Sequence, residues 1–278
     1  MTSYHPPEAP LPLPASTSGK SALHVARDCA AEARGLMREA FGKVSVSEVK
    51  GRGNVLTAVD LAVEAAVTRR LAAEYPAHAV LSEETAAETR SDGWMWVMDP
   101  VDGTKNFSRA IPHFCFSIAL CYDSEPLLGL TLNPMLDEEF AAVAGEGCTL
   151  NGRRVTVSGA TSVQDSVVAI DLGYDDRRAA LNLDLARFLW PGMQALRVPG
   201  SAALEFAFLA AGRWDLFLHS DLQPWDIAAG LVLVREAGGL VTDREGAPAT
   251  IRSREVIAAP AAVHADFLAV AGHKPWRP

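Results

Sequence analysis

The chain has 278 residues, 49% of them hydrophobic and 21% charged, which supplies a full apolar core and excludes disorder over most of its length. Its 25 Lys and Arg against 34 Asp and Glu leave a formal charge of −9 without any basic tract, so a broad footprint for nucleic-acid phosphates is excluded. Charges also break every apolar run well short of the about 20 residues that a membrane helix needs.

Residues 1–20 are proline-rich and lack the basic start of a signal peptide, and they read as a flexible tail on a cytoplasmic protein. From Ser21 onward Val25, Ala26, Cys29, Ala33 and Met37 recur at helical spacing, predicting a helix over 21–41 capped by Ser21. After a charged, glycine-rich stretch at 48–54, a second helical pattern opens at Thr57 and stops at Pro76. Strand-like runs follow at 78–81, 94–98, 114–122, 127–132 and 139–144, each bounded by Gly, Pro, Asp or Asn. Asn151-Gly152 signals a hairpin leading into 154–157.

The second half alternates, with strands expected at 166–171, 196–198, 214–219, 240–242 and 256–259. Helices are expected between them at 178–189, 201–211 and 224–237, with a last one running through Val270. Strands grouped first and alternation second predict a layered α+β chain, a single domain over 21–278 with subdomains at about 21–160 and 161–278. The four cysteines, Cys29, Cys115, Cys121 and Cys148, form no C-x-x-C pair and read as buried reduced thiols. Trp94, Trp96 and Trp225 read as packing aromatics.

Acidic residues gather at the ends of these elements: Asp60 at a helix start, Glu83 and Glu84 after a strand, Asp99 and Asp102 after another, and Asp226 at a late helix start. Singly, each serves as well as a helix cap, a turn residue or a solvated acid. The segment Asp99-Pro100-Val101-Asp102-Gly103-Thr104 is different, because an apolar strand delivers two carboxylates into one tight turn. Gly103 permits close backbone approach, and amides beyond it can face an anion. Carboxylates without histidine or thiol suit Mg2+, which takes oxygen ligands and shares them with phosphate. Two such ions clamp the attacking and leaving oxygens of an in-line displacement.

These blocks resemble the inositol monophosphatase family, within the metal-dependent, lithium-sensitive phosphatases. The resemblance rests on Lys50 with 54–60, Ser82-Glu83-Glu84, the 99–107 motif, Gly200-Ser201-Ala202-Ala203, and Pro224-Trp225-Asp226 followed by Glu236-Ala237-Gly238-Gly239. It implies an αβαβα sandwich of the inositol monophosphatase and fructose-1,6-bisphosphatase type, a homodimer, and hydrolysis of a small phosphorylated metabolite with two to three Mg2+ ions. It assigns the metals to Glu83, Asp99, the Val101 carbonyl, Asp102 and Asp226, with Asp60 near a third ion. It implies catalytic roles for Glu83, Thr104 and Asp99, with Glu83 and Thr104 orienting the water. Substrate contacts are implied at Asp102, Gly103, Thr104, Gly200, Ser201, His219 and Asp226, with Lys50 in support.

Asn54 stands where the family often has Asp, and His219 stands where inositol phosphatases usually carry a glutamate. An imidazole recognises a different group from a carboxylate, unless His219 is simply a surface residue at a strand end. Asp171, Tyr174 and Asp175 are candidates for the substrate mouth. Inositol monophosphate is the first candidate substrate, with histidinol phosphate, fructose 1,6-bisphosphate and a 3′-phosphoadenosine nucleotide as alternatives. A non-catalytic regulatory protein on the same fold predicts loss of a metal carboxylate, yet Glu83, Asp99, Asp102 and Asp226 are all present.

Overall fold

The computed structural model describes residues 11–43, 48–49, 55–85 and 92–272. Lys50 and Asn54 lie outside the described residues.

Helix α1 (Ala22–Ala40) begins at Ser21, whose side chain accepts from the His24 amide, and its apolar stripe of Val25, Cys29, Ala33 and Met37 is buried. A short antiparallel pair joins β1 (Glu48–Val49) to β2 (Val55–Leu56). Helix α2 (Ala58–Glu74) starts from a capping box of Thr57 and Asp60 and ends ahead of Pro76. Strand β3 (Ala79–Ser82) runs parallel to β4 (Trp94–Asp102). The single-turn α3 (Thr104–Ser108) leads to β5 (Cys115–Tyr122), β6 (Glu125–Asn133), β7 (Glu138–Val143), β8 (Gly147–Leu150) and β9 (Arg153–Val155). These strands continue the sheet antiparallel in chain order, seven strands in all. Asn151 and Gly152, with φ of 49° and 76°, make the expected hairpin turn between β8 and β9.

The remaining elements are β10 (Val167–Ile170), α4 (Asp176–Leu189), β11 (Ala195–Arg197), α5 (Ala202–Ala210), β12 (Leu216–His219), α6 (Pro224–Glu236), β13 (Leu240–Thr242), β14 (Val256–Ala259) and α7 (Ala261–Ala271). They form a five-stranded sheet ordered β11-β10-β12-β14-β13, with β10 parallel to both of its neighbours and the other pairs antiparallel.

Alternation along the strands decides the layering. On β4, Trp96 and Met98 face a core shared with α1 and α2, whereas Met95 and Val97 face a second core built with α5 and α6. The other side of α5 and α6 meets Ala169, Phe217 and Ala258 of the smaller sheet. That sheet turns Val168, Leu216 and Ile257 toward α4 and α7 in a third core. The five layers are therefore αβαβα, as expected.

Two differences from the sequence reading have physical causes. Strand β4 does not stop at Met98: Pro100 falls at a bulge between Asp99 and Asp102, where its missing N–H costs no ladder bond, so the carboxylates ride on the strand itself. The proline-rich segment is tied down over 11–20: the Thr17 amide donates to Glu74 O at 2.9 Å, and Tyr75 Oη donates to Pro14 O at 3.1 Å. All four cysteines are buried and free. No described helix is long and apolar enough to cross a membrane.

Candidate active site

The far end of β4 carries the site. Asp99 is 2% exposed, and its Oδ1 accepts the Val101 amide at 2.9 Å across the bulge. Asp102 Oδ2 accepts from Ser201 Oγ at 2.5 Å, the Ala203 amide at 2.9 Å and Cys115 Sγ at 3.5 Å, so the start of α5 fixes the rotamer of a carboxylate from the other half of the chain. Gly103 then turns the backbone at φ 90° into α3, and a Cβ there would meet His113 O and Ser201 Cβ at 3.1 Å. Only glycine fits this turn without strain.

Thr104 opens α3, and its hydroxyl lies 2.9 Å from Val101 O and 3.2 Å from Asp60 Oδ1. One proton serves both acceptors, so the lone pairs of Oγ1 stay available to a water. Asp60 is 1% exposed; its other oxygen takes the Thr57 amide and hydroxyl. It is thus both helix cap and a partner of Thr104, which joins the two readings left open above. Asp226 enters from the first turn of α6, where Pro224 occupies the opening position and the Gln223 amide donates to Asp226 Oδ2 at 2.6 Å.

Oxygens of Asp99, Asp102 and Asp226 lie within 4.8 Å of one another. Burial pushes the carboxyls of Asp99 and Asp226 well above the usual range; the neighbouring charges of Glu83 and Asp102 then add most to Asp99, and that of Asp102 to Asp226. Asp102 is raised by burial too, against the opposing hydrogen bond from Ser201. Burial also raises Asp60. Carboxylates buried together in this way repel unless a cation or protons answer them, and the ligands are oxygen throughout, so the cluster fits a hard divalent ion. The Cys115 thiol beside it is held protonated by burial and is a donor to Asp102.

A cavity of about 510 Å³ opens over this cluster. Glu83, Asp99, Val101, Asp102, Gly103 and Thr104 line it. Gly200, His219, Trp225 and Asp226 line it as well. Asp60 and Ser201 do not reach the cavity wall: Asp60 sits beneath Thr104, and Ser201 is 1% exposed with its hydroxyl on Asp102 and its amide on Glu205 Oε2 at 3.2 Å. His219, 8% exposed, belongs to the wall and is not a surface histidine. Asp171 and Tyr174 also line the cavity, whereas Asp175 caps α4 by accepting the Arg177 and Arg178 amides. Lys50 is outside the described residues.

Three participants went unseen in the sequence. Glu205, fully buried, links Ser201 to His113, whose Nε2 lies 2.7 Å from Glu205 Oε1. Its signal was a lone charge in an otherwise apolar helix. Asn106 ties the turn after α3 to the loop before α5, donating to His113 O at 2.7 Å and Pro199 O at 2.9 Å. Asp221 lines the cavity beside His219.

The pattern of the Inositol monophosphatase family matches residues 20–274. Inositol monophosphatase 2 of Solanum lycopersicum is 34% identical over 254 residues, covering 88% of this chain and 96% of its own. The Nus factor SuhB of Pseudomonas aeruginosa is 38% identical over 227 residues, 79% of this chain and 83% of its own. Among solved structures, the extragenic suppressor protein suhB of Bartonella henselae superposes with a TM-score of 0.85 at 32% identity, covering 91% of this chain and 98% of that one.

Proposed function

Since the chain belongs to the inositol monophosphatase family, we propose that it hydrolyses a small phosphomonoester with Mg2+, inositol monophosphate being the first candidate among polyol and sugar phosphates. The observation that carries this reading is the convergence of Asp99, Asp102 and Asp226 from β4 and α6 on one point beside the Gly103-Thr104 turn. Two to three ions, a homodimer and a cytoplasmic location belong to the same reading.

Bound Mg2+ would supply Lewis-acid activation of water and neutralisation of phosphate charge. Asp99, Asp102, Asp226 and Glu83 would hold it, with the Val101 carbonyl completing the set and Asp60 serving an outer ion. Thr104 Oγ1, its proton committed to Val101 O or Asp60, accepts from the attacking water and aims it, with Glu83 lining the same cavity. The Gly103 and Thr104 amides receive the phosphoryl oxygens. Ser201 and the Ala203 amide keep Asp102 in place, and burial of Asp99 and Asp102 excludes bulk water from their side of the reaction.

One relative above is named a Nus factor, which keeps a regulatory binding role in view. The full acidic set lining one cavity weighs for catalysis. Phosphate release from inositol monophosphate, histidinol phosphate, fructose 1,6-bisphosphate and a 3′-phosphoadenosine nucleotide, with Mg2+ and with EDTA, tests the proposal. Mg2+-dependent release from at least one is expected; no release from any, in folded protein that binds Mg2+, would refute it in favour of the regulatory role.

A further inference from the structure

Away from the carboxylate cluster, the cavity has a second wall made by the loops that follow β10 and β12. Gly173, at φ 62°, lets the first loop lie against the second, since a Cβ there would meet Asp221 Cβ at 2.8 Å. Asn182 of α4, 3% exposed, clamps both loops by donating to Asp171 O at 2.9 Å and to Ser220 Oγ at 2.7 Å. The wall is therefore built, and Asp171, Tyr174, His219 and Asp221 line the cavity from it.

The hydrogen bonds define what this wall still offers. His219 Nδ1 accepts the Asp221 amide at 3.0 Å, which places the proton of a neutral ring on Nε2. No described residue accepts from that Nε2–H. Asp171 Oδ1 takes the Leu172 amide at 2.7 Å and the Gly173 amide at 3.4 Å, and no described residue donates to Oδ2.

The nearby guanidinium groups are committed elsewhere. Arg254 pairs with Asp221 at 2.7 Å, and Arg178 with Glu255 at 3.0 Å. Lys105 lies over the Tyr174 ring of this wall, 4.7 Å from its centroid, and forms no ion pair with Asp171. Bound Mg2+ would answer Asp99, Asp102 and Asp226, and Arg254 answers Asp221. Asp171 remains as a cavity carboxylate that no described Lys or Arg pairs with.

Resting on the phosphatase reading, we infer that this wall selects a phosphomonoester carrying a protonated amine: Asp171 receives the ammonium, and His219 Nε2–H donates to a neutral oxygen or nitrogen of the same molecule. A polyol phosphate satisfies the histidine but offers Asp171 only a neutral hydroxyl, and a charge-assisted hydrogen bond is roughly twice as strong as a neutral one. The amine-bearing substrate is therefore the better fit to the two open groups together.

The test compares serinol phosphate with glycerol phosphate, which differ only in an ammonium for a hydroxyl on the carbon next to the ester. With Mg2+ and the full chain, kcat/KM for the amine is expected to be at least about tenfold higher, a difference within reach of one charge-assisted hydrogen bond. Asp171→Asn, which keeps the oxygen that accepts the Leu172 amide, is expected to bring the ratio toward one. Equal rates or a preference for glycerol phosphate in the unaltered protein overturn the inference and leave the phosphatase reading standing. If no phosphomonoester is hydrolysed, the phosphatase reading fails, and calorimetric titration with the same two compounds still decides this one: tighter binding of serinol phosphate supports it, and equal binding overturns it.

Discussion

Asp99→Asn separates the electrostatic role of the cluster from its structural one. Oxygens of Asp99, Asp102 and Asp226 lie within 4.8 Å of one another, and a full charge pair at that distance costs about 3 kcal/mol at an effective dielectric constant of 20. Protonation relieves part of this in the metal-free protein, because the Asp99 carboxyl is raised well above its ordinary range by burial and by Glu83. The asparagine keeps an oxygen for the Val101 amide, so the bulge survives. Without metal at neutral pH the variant is expected to gain about 1–3 kcal/mol, a rise in Tm of about 2–6 °C for a chain of this size. The sign follows from linkage: a carboxyl whose folded pKa lies above its unfolded value takes up protons on folding, so its cost is absent at low pH and grows as pH rises from the unfolded toward the folded pKa. The stability gap between variant and parent is therefore expected to shrink as pH falls from neutral toward about 4, where the unfolded carboxyl also protonates. His219 and His113, both lowered by burial, act on parent and variant alike and cancel from the gap. Differential scanning calorimetry in EDTA reads the gap, and Mg2+ titration of Tm reads the metal, with the parent rising and the variant losing most of that rise. A variant less stable than the parent in EDTA, with an unchanged response to Mg2+, would show that Asp99 neither bears a repulsive charge nor binds the metal.

Ser201→Ala removes the hydroxyl from Asp102 and leaves the buried carboxylate short of a donor; a loss of about 1–3 kcal/mol and a tenfold to hundredfold weaker Mg2+ affinity are expected, measured by denaturant unfolding and by calorimetric titration. Gly103→Ala forces a Cβ against His113 O and Ser201 Cβ at φ 90°, so kcat for phosphate release should fall at least tenfold, and a kinetically normal variant would contradict the tight turn. Asp175→Ala should lower the denaturation midpoint slightly through loss of the α4 cap, with phosphate release unchanged in a kinetic assay. His219→Glu exchanges the Nε2–H donor for an acceptor and should move the substrate ranking toward inositol monophosphate, read from kcat/KM across the phosphomonoester panel.

The site was legible where its chemistry is contiguous. Asp99, Asp102, Gly103 and Thr104 sit within six residues of chain, and an apolar strand that ends in acids and glycine is an unusual pattern. Asp226 was legible as an acid just inside a helix opened by proline. The support for those residues was not. Asp102 is held by Ser201 and Ala203, about a hundred residues away along the chain, and only the packing of α5 against the end of β4 creates that contact. Glu205 and His113 meet by the same long-range packing. Asp175 shows the opposite case: its signal was present, but a helix start expected at 178 left it in a loop, whereas α4 begins at Asp176 and makes it the cap. Pro100 similarly shortened the expected strand, because a proline inside a ladder is admissible only at an edge or a bulge, and the bulge is a tertiary feature.

In the proposed reaction the cavity carboxylates direct metal-activated water at phosphorus. Hydrolysis of a phosphomonoester in 18O-labelled water, with mass analysis of both products, follows the oxygen of that water. One labelled oxygen is expected in the released phosphate and none in the alcohol, with turnover dependent on Mg2+ and abolished in Asp226→Asn. Label in the alcohol, or turnover that persists in EDTA, would contradict it.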